Sequence, residues 1–212
     1  MASTFSELGR KAQLFFPDAS SLEPSWLKKV LPLDSDLLSG VQKSRHASRL
    51  LRKAVAKHYQ LVVPERESLK PEQQWLLLDT SKQRDIAKQL GIYACANHIR
   101  TAVTRTAVAQ LRDYLGEEGY LTTVRAATDV DALAVAGVQR TEFDQAVAQQ
   151  YIGRYIVAHG IALLEQTLDS EDPFFALRMR FAFPPACWNM RPQGLTVDSA
   201  QLSNLVNTLS EC

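Results

Sequence analysis

The chain has 212 residues, of which 46% are hydrophobic and 22% charged, and its formal net charge at pH 7 is +1. This composition is near the average for soluble globular proteins, and a chain of this length can bury a core of its own. The near-neutral charge gives no overall attraction to nucleic acid or to an anionic membrane.

Cysteine usage and hydropathy indicate a reducing, aqueous compartment. Cys95, Cys187 and Cys212 are odd in number and widely spaced, so no disulfide framework is indicated. The N-terminal apolar runs are too short for a signal peptide. No window approaches the ~18–20 apolar residues that a membrane-spanning helix requires. We therefore expect a soluble, intracellular protein.

Prolines interrupt the first 33 residues. Pro17, Pro24 and Pro32 separate short apolar runs, and each proline fixes φ and removes a backbone donor. We interpret residues 1–33 as an irregular arm that packs on the body, with one short helix at 24–30. Residues 34–212 then form one domain, so that the chain is a single domain overall.

Helical periodicity begins in residues 34–59. The residues expected on the buried side recur at three- and four-residue spacing, and they are Leu50, Leu51, Ala54, Val55 and His58. Gly40 lowers helix propensity and indicates a break in the first part of this segment.

Proline, capping and turn signals divide residues 71–127 into four helical segments, of which the first and the last are short. Thr80 with Gln83 three residues later fits a capping box, in which each side chain bonds the other residue's free backbone donor. Thr104 opens a later helix, which Gly116 ends as a left-handed cap residue.

The longest periodic segment covers residues 142–168, and Thr141 with Asp144 gives it a weaker capping pattern. Its predicted buried face consists of Val147, Tyr151, Tyr155, Ala158, Ala162 and Leu163. An amphipathic helix at 198–209 completes the chain.

Residues 174–184 show a different period. Phe175, Leu177 and Met179 begin an alternation with smaller or charged residues that continues to Phe183. A period of two favours a strand or extended segment. The predicted fold class is therefore mainly α, a compact multi-helix domain with one such segment near 174–184.

The strongest charge feature is the basic stretch 43–58, since no acidic residue occurs between Asp36 and Glu65. Four cations lie on one side of the predicted helix: Arg45, Arg49, Arg52 and Lys53. They could contact an acidic partner or phosphate. The alternative, which the balanced charge of the whole chain and the lack of interleaved aromatics favour, is a solvated face neutralised by acids elsewhere in the fold.

No motif indicates catalysis. Cys95 and His98 have a spacing that could place two zinc ligands on one helical turn, but a closed site needs four ligands and no second pair appears. We interpret Cys95 as a buried thiol. The phosphate-binding glycine loops and the Gly-x-Ser-x-Gly motif are absent from the sequence. We predict neither a metal nor a cofactor, and no enzymatic activity.

The run PFFALRMRFAFPP has two interpretations. It could dock on a partner's sheet or groove as an extended apolar segment, or it could be a buried strand or connector within the domain. For the first interpretation the candidate contacts are Arg178, Arg180, Phe181 and Phe183.

The run LGIYACANHIRTAVTRTAVAQLRDYLGEEGYLTTVRAA resembles the core signature of the bacterial type III secretion SctK proteins, the YscK/OrgA/MxiK group. The matching positions are Leu90-Gly91, Ile99-Arg100, Val108, Leu111-Arg112, Leu115-Gly116 and Tyr120. LRMRFAFPP is similar to the end of the family domain through Leu177, Arg178, Arg180, Phe183 and Pro184. The resemblance covers roughly residues 70–190, and Phe181-Ala182-Phe183 replaces a more basic family run.

The resemblance implies a largely helical, non-catalytic adaptor of the injectisome. Such proteins lie in the cytoplasm beneath the inner-membrane ring and bridge the forkhead-associated-like domain of the ring protein SctD and the pod protein SctQ. Their complex includes the stator SctL and the ATPase SctN, and it sorts secretion substrates. The resemblance implies neither nucleic-acid binding nor membrane insertion. An alternative from the residues alone is a helical nucleic-acid-binding regulator that uses the basic helix 43–58.

Overall fold

The computed structural model describes residues 24–31, 33–59, 69–126, 135–168 and 173–211, and these residues are mainly helical, as predicted. Its α-helices are α1 (Pro24–Val30), α2 (Ser35–Lys43), α3 (Arg45–His58), α4 (Thr80–Arg100), α5 (Arg105–Leu115), α6 (Glu117–Ala126), α7 (Arg140–Ala148), α8 (Ile152–Gln166), α9 (Pro173–Ala182), α10 (Pro185–Asn189) and α11 (Ser199–Glu211). A 3-10 helix covers Pro71–Leu77. Among the described residues, β pairing is limited to one bridge between Ala136 and Thr196.

The chain divides into two compact units. The first contains residues 1–83 and 168–185, and the second contains residues 84–167 and 186–212. The predicted arm at 1–33 and domain at 34–212 stay a prediction, since residues 1–23 lie outside the described part; α1 lies in the same unit as α2 and α3. Within the described ranges, no helix is both long and apolar enough to cross a membrane.

In the first unit, α2 and α3 are separated at Ser44 and not at the predicted Gly40. Ser44 has an extended backbone, with ψ of 117°, and its hydroxyl accepts a hydrogen bond from the Ala47 amide. A serine in this conformation satisfies an amide that the new helix leaves unpaired. Gly40 continues α2, so the helix tolerates its propensity cost.

The predicted capping box at Thr80 is wrong. The carboxylate of Asp79 accepts the bond from the Lys82 amide at 2.9 Å, so the cap lies one residue earlier. Gln83 is buried instead, and its amide donates to the carbonyls of Leu76 (3.1 Å) and Leu78 (2.9 Å). Gln83 thereby ties the start of α4 to the end of the 3-10 helix.

The predicted strand at 174–184 is also wrong, because the chain forms helix α9 there. Phe175, Met179 and Ala182 follow the helical period and are buried, while Phe181 and Phe183 are buried as well. A helix that is covered on more than one side needs apolar residues beyond one stripe. Those additional residues produced the apparent period of two.

In the second unit, α4 and α8 pack with their backbones in close contact. Gly91 of α4 lies against the Ile156 carbonyl of α8, and Gly160 of α8 lies against the Ala87 carbonyl of α4. Neither position has room for a methyl group. The crossing supports a core that includes Cys95, Ile99, Leu111, Phe143, Tyr155 and Ile156.

The predicted long helix 142–168 is two helices, α7 and α8. Gln150 between them has a φ of +58°, and the Tyr151 amide donates to the Ala146 carbonyl at 2.9 Å. This is the geometry of a helix end closed by a left-handed residue, a position that glycine or asparagine usually occupies. The predicted Thr141 cap is wrong as well, since Asp144 pairs with Arg140 at 3.0 Å.

Two helix boundaries are as predicted. The Thr104 hydroxyl accepts a hydrogen bond from the Ala107 amide at 3.3 Å and opens α5. Gly116 ends α5 with a φ of +76°, in the region that glycine adopts without steric cost.

Candidate protein-binding surfaces

Helix α3 presents an exposed row of side chains, which we term the α3 stripe and define as His46, Leu50, Lys53 and Lys57. The spacing of four, three and four residues places all four along one line of the helix. Leu51 and Val55 on the opposite side are buried. Helix α3 is therefore amphipathic, and the described row on its exposed side combines two lysines, one histidine and one leucine.

Leu50 was expected in the core, but 57% of its surface is exposed. His58, which was predicted on the same face, is exposed too. The reason is angular: consecutive helical residues are about 100° apart, so Leu50 cannot share the direction of the buried Leu51. The buried face of α3 in the structure is therefore narrower than the face that the sequence pattern predicted.

The predicted basic contact has one described side chain, Lys53, which is exposed. Arg45, Arg49 and Arg52 are residues of α3, and their side chains lie outside the described part of the structure. The ion pairs Arg112–Glu117, Arg140–Asp144 and Arg191–Glu165 lie outside α3. Both interpretations of the basic stretch, the partner contact and the face neutralised within the fold, therefore stay predictions.

The second predicted contact strip is largely internal. Phe181 and Phe183 are buried, so they are not presented on the surface. The Arg178 guanidinium donates through Nη2 to the Leu76 carbonyl at 2.9 Å, and burial lowers its pKa to about 10. The Arg180 guanidinium lies over the Trp26 ring, 4.5 Å from the centroid. The structure thus favours the interpretation of this run as an internal element.

Cys95 and His98 lie on one helix but in different surroundings. Cys95 is fully buried, and this burial raises the pKa of its thiol. His98 Nε2 is 3.2 Å from the Val138 carbonyl, and its ring packs near Phe143. Within the described ranges, no group of three His, Cys, Asp or Glu residues is placed to hold a metal ion.

His159 is a fully buried ionisable side chain to which the sequence assigns no role. Its Nδ1 is 2.9 Å from the Tyr155 carbonyl, and the Tyr155 ring packs against it at 4.2 Å. Burial is the main cause that lowers its pKa, and the nearby His98 lowers it further, whereas the hydrogen bond acts in the opposite direction. The imidazole is therefore a neutral core group at pH 7.

An open groove of about 800 Å³ in the second unit was also missed. It runs between α5 and the turn that joins α7 to α8, and its lining includes Arg105, Asp113, Tyr114 and Gly153. The Tyr114 ring packs directly on Gly153, where an added Cβ would be 2.6 Å from the ring. In the sequence, Gly153 near the start of α8 is a signal for this close approach of the Tyr114 ring.

No protein-family model, curated protein or solved structure matches this chain. Its chemistry must therefore be inferred from its own residues. The described side chains form packed helices and exposed charged surfaces, an arrangement that can bind another protein by shape and charge.

Proposed function

We propose that this chain is a non-catalytic adaptor of a type III secretion injectisome, similar to the SctK proteins. It bridges the forkhead-associated-like cytoplasmic domain of SctD and the pod protein SctQ, and it supports substrate sorting together with SctL and the ATPase SctN. In this role the protein lies in the cytoplasm, docked at the inner membrane through the secretion apparatus. The observation that carries the proposal is the SctK-like run at residues 90–127.

The positions of that run have structural roles in this chain. Leu90, Ile99 and Leu111 are fully buried. Gly91 permits the close crossing with α8, and Gly116 supplies the positive φ that ends α5. Several of the residues that carry the resemblance thus help to build the second unit, whereas Arg100 and Arg112 are exposed.

The exposed side of α3 is the candidate contact with the ring domain. Its lysines would attract an acidic surface and accelerate association, and this contribution weakens as salt rises. The second candidate contact, the strip that includes Phe181 and Phe183, is buried in part. The contact with SctQ would therefore use another surface.

Co-purification from a secreting bacterium, with partners identified by mass, tests the proposal. The tagged chain should recover SctD, SctQ, SctL and SctN. Replacing Arg49 and Arg52 by glutamate should reduce the recovery of SctD in a salt-sensitive way and retain SctQ. Lys82→Glu is the control, since Lys82 is exposed and lies outside α3.

The possible results separate the two levels of the proposal. Unchanged recovery of SctD with the Arg49 and Arg52 variant would exclude α3 as the contact. Recovery of no secretion component by the wild-type chain would contradict the adaptor role itself.

A further inference from the structure

We propose that the α3 stripe binds an acidic amphipathic helix of the partner protein, with Leu50 at the centre of the contact. The inference rests on the proposed adaptor function and adds the chemical nature of the partner segment. It depends on the row His46, Leu50, Lys53 and Lys57, in which every side chain is exposed.

The spacing of the stripe is that of a helix–helix seam. Steps of four, three and four residues recur where two helices lie side by side and interdigitate. The ends of the row are eleven steps apart along the helix, or about 16 Å at ~1.5 Å per residue, which corresponds to about three turns of a partner helix. Because helix α3 uses its own backbone groups internally, it offers a partner only side chains.

The chemistry of the stripe selects the partner's composition. Leu50 is 57% exposed, so covering it with an apolar group of the partner stabilises the complex. Carboxylates beside that group add attraction to Lys53 and Lys57. A helix with aliphatic residues along one line and acidic residues flanking them satisfies both requirements. A phosphate backbone would satisfy only the lysines, and it would leave the leucine against charged groups.

Leu37 provides an internal comparison. It has the same 57% exposure as Leu50 but lies on α2, next to the exposed Asp36. An acidic helix would be repelled from Leu37 and attracted to Leu50. A comparison of Leu50 with Leu37 therefore distinguishes specific binding at the α3 stripe from nonspecific association of exposed apolar side chains.

The test uses the full chain and a fluorescent synthetic peptide of three heptads, with leucine at the seam positions and glutamate at the flanking positions. A control peptide has the same composition, with its leucines moved off the seam. Anisotropy titrations at low and physiological salt should show binding of the first peptide that weakens with salt. Leu50→Asp and the double variant Lys53→Glu/Lys57→Glu should each weaken it by about tenfold or more.

Leu37→Asp and Lys82→Glu are the matched controls and should change the affinity by less than about twofold. Circular dichroism verifies the fold of each variant. Leu50→Gln, which keeps helix propensity, replaces Leu50→Asp if the aspartate disturbs α3.

Several results would overturn the inference: no binding of the seam peptide, equal binding of the control peptide, an undiminished affinity of the Leu50 variants, or a loss at Leu37 as large as that at Leu50. Sedimentation showing that the chain alone dimerises through Leu50 would assign the stripe to a second copy and overturn it too. If SctD still co-purifies when the peptide fails to bind, only this inference fails. If the peptide binds but no secretion component is recovered, the adaptor function fails instead.

Discussion

At the scale of single residues, two glycines fix the separation of α4 and α8. The Cα of Gly91 faces the Ile156 carbonyl, and that of Gly160 faces the Ala87 carbonyl. Backbone atoms cannot rotate away as a flexible side chain can. A methyl group at either position would have to push one helix away from the other.

We predict that Gly160→Ala and Gly91→Ala each lower the free energy of unfolding by at least ~2 kcal/mol, because overpacking against backbone displaces whole elements. Urea denaturation monitored by circular dichroism measures the loss.

Gly40→Ala is the control for both variants. Gly40 lies within α2, and nothing is within 4 Å of the position that its Cβ would occupy. The substitution should raise the free energy of unfolding by roughly 0.5–1 kcal/mol, since alanine favours the helix. Equal destabilisation by all three substitutions would contradict the special role of the α4–α8 crossing.

His159 should make stability depend on pH. Its folded-state pKa lies below the unfolded value of about 6.5. The unfolded chain therefore binds the proton more readily in the interval between the two values. The contribution of neutral His159 to the free energy of unfolding is complete above pH ~6.5 and is lost as the pH falls toward the folded pKa. In that interval the free energy of unfolding changes by at most ~1.4 kcal/mol per pH unit.

Urea denaturation at several values between pH 5 and 8 tests this prediction. His159→Gln should flatten the curve below about pH 6.5, because glutamine does not titrate. His46→Gln is the control, since His46 is exposed on α3. An unchanged slope in His159→Gln would show that other groups cause the acid sensitivity.

At the scale of elements, the sequence predicted helices wherever a clear cap agreed with the period. Thr104 and Gly116 bound α5 in this way. The helix break at Gln150 could not be predicted, because glutamine rarely adopts a positive φ and only the packed structure imposes it here.

The candidate surfaces, like the helix boundaries, could be predicted only in part from the sequence. Basic residues on α3 were evident from the sequence, but the exposure of Leu50 was not, because a leucine beside Leu51 and Val55 fits an apolar stripe equally well. The alternation through Phe181 and Phe183 predicted a strand, since periodicity alone does not distinguish a short strand from a helix covered on several sides.

Helix α1 is joined to the segment after α9 by a buried hydrogen bond. Trp26 Nε1 donates to the Phe183 carbonyl at 2.7 Å, and the Trp26 ring also meets the Phe181 ring at 6.2 Å. Trp26→Phe keeps an aromatic ring but removes the donor. We predict a loss of about 1–3 kcal/mol in the free energy of unfolding, because the Phe183 carbonyl is left unsatisfied.

Tyr59→Phe is the matched control for Trp26→Phe. Tyr59 contacts the same Phe181 ring at 4.9 Å, but its buried hydroxyl has no hydrogen-bond partner among the described residues. Removing this hydroxyl should leave stability unchanged or increase it. Thermal denaturation of both variants gives the comparison, and equal losses would contradict the assigned role of the Trp26 donor.

At the scale of the whole molecule, the charges are balanced although α3 is basic. The 24 lysines and arginines are offset by 23 acidic residues, which leaves a net charge of +1. Long-range attraction depends on the summed field, whereas docking of a matched partner depends on local charge. This distribution suits selective protein binding better than general affinity for polyanions.

The balance of charge gives a final prediction, which separates the adaptor from a nucleic-acid-binding regulator. The chain should not shift a 20-base-pair DNA duplex at ~150 mM salt. Any binding at low salt should decay with a shallow slope, because each neutralised phosphate contributes about −0.9 to the slope of log K against log salt. Lys53→Glu/Lys57→Glu should reduce whatever low-salt binding exists, since these lysines are exposed on α3. Tight binding at ~150 mM salt with a slope corresponding to about six phosphates would favour the regulator, because it would require most cations of the basic helix 43–58 to contact phosphate together.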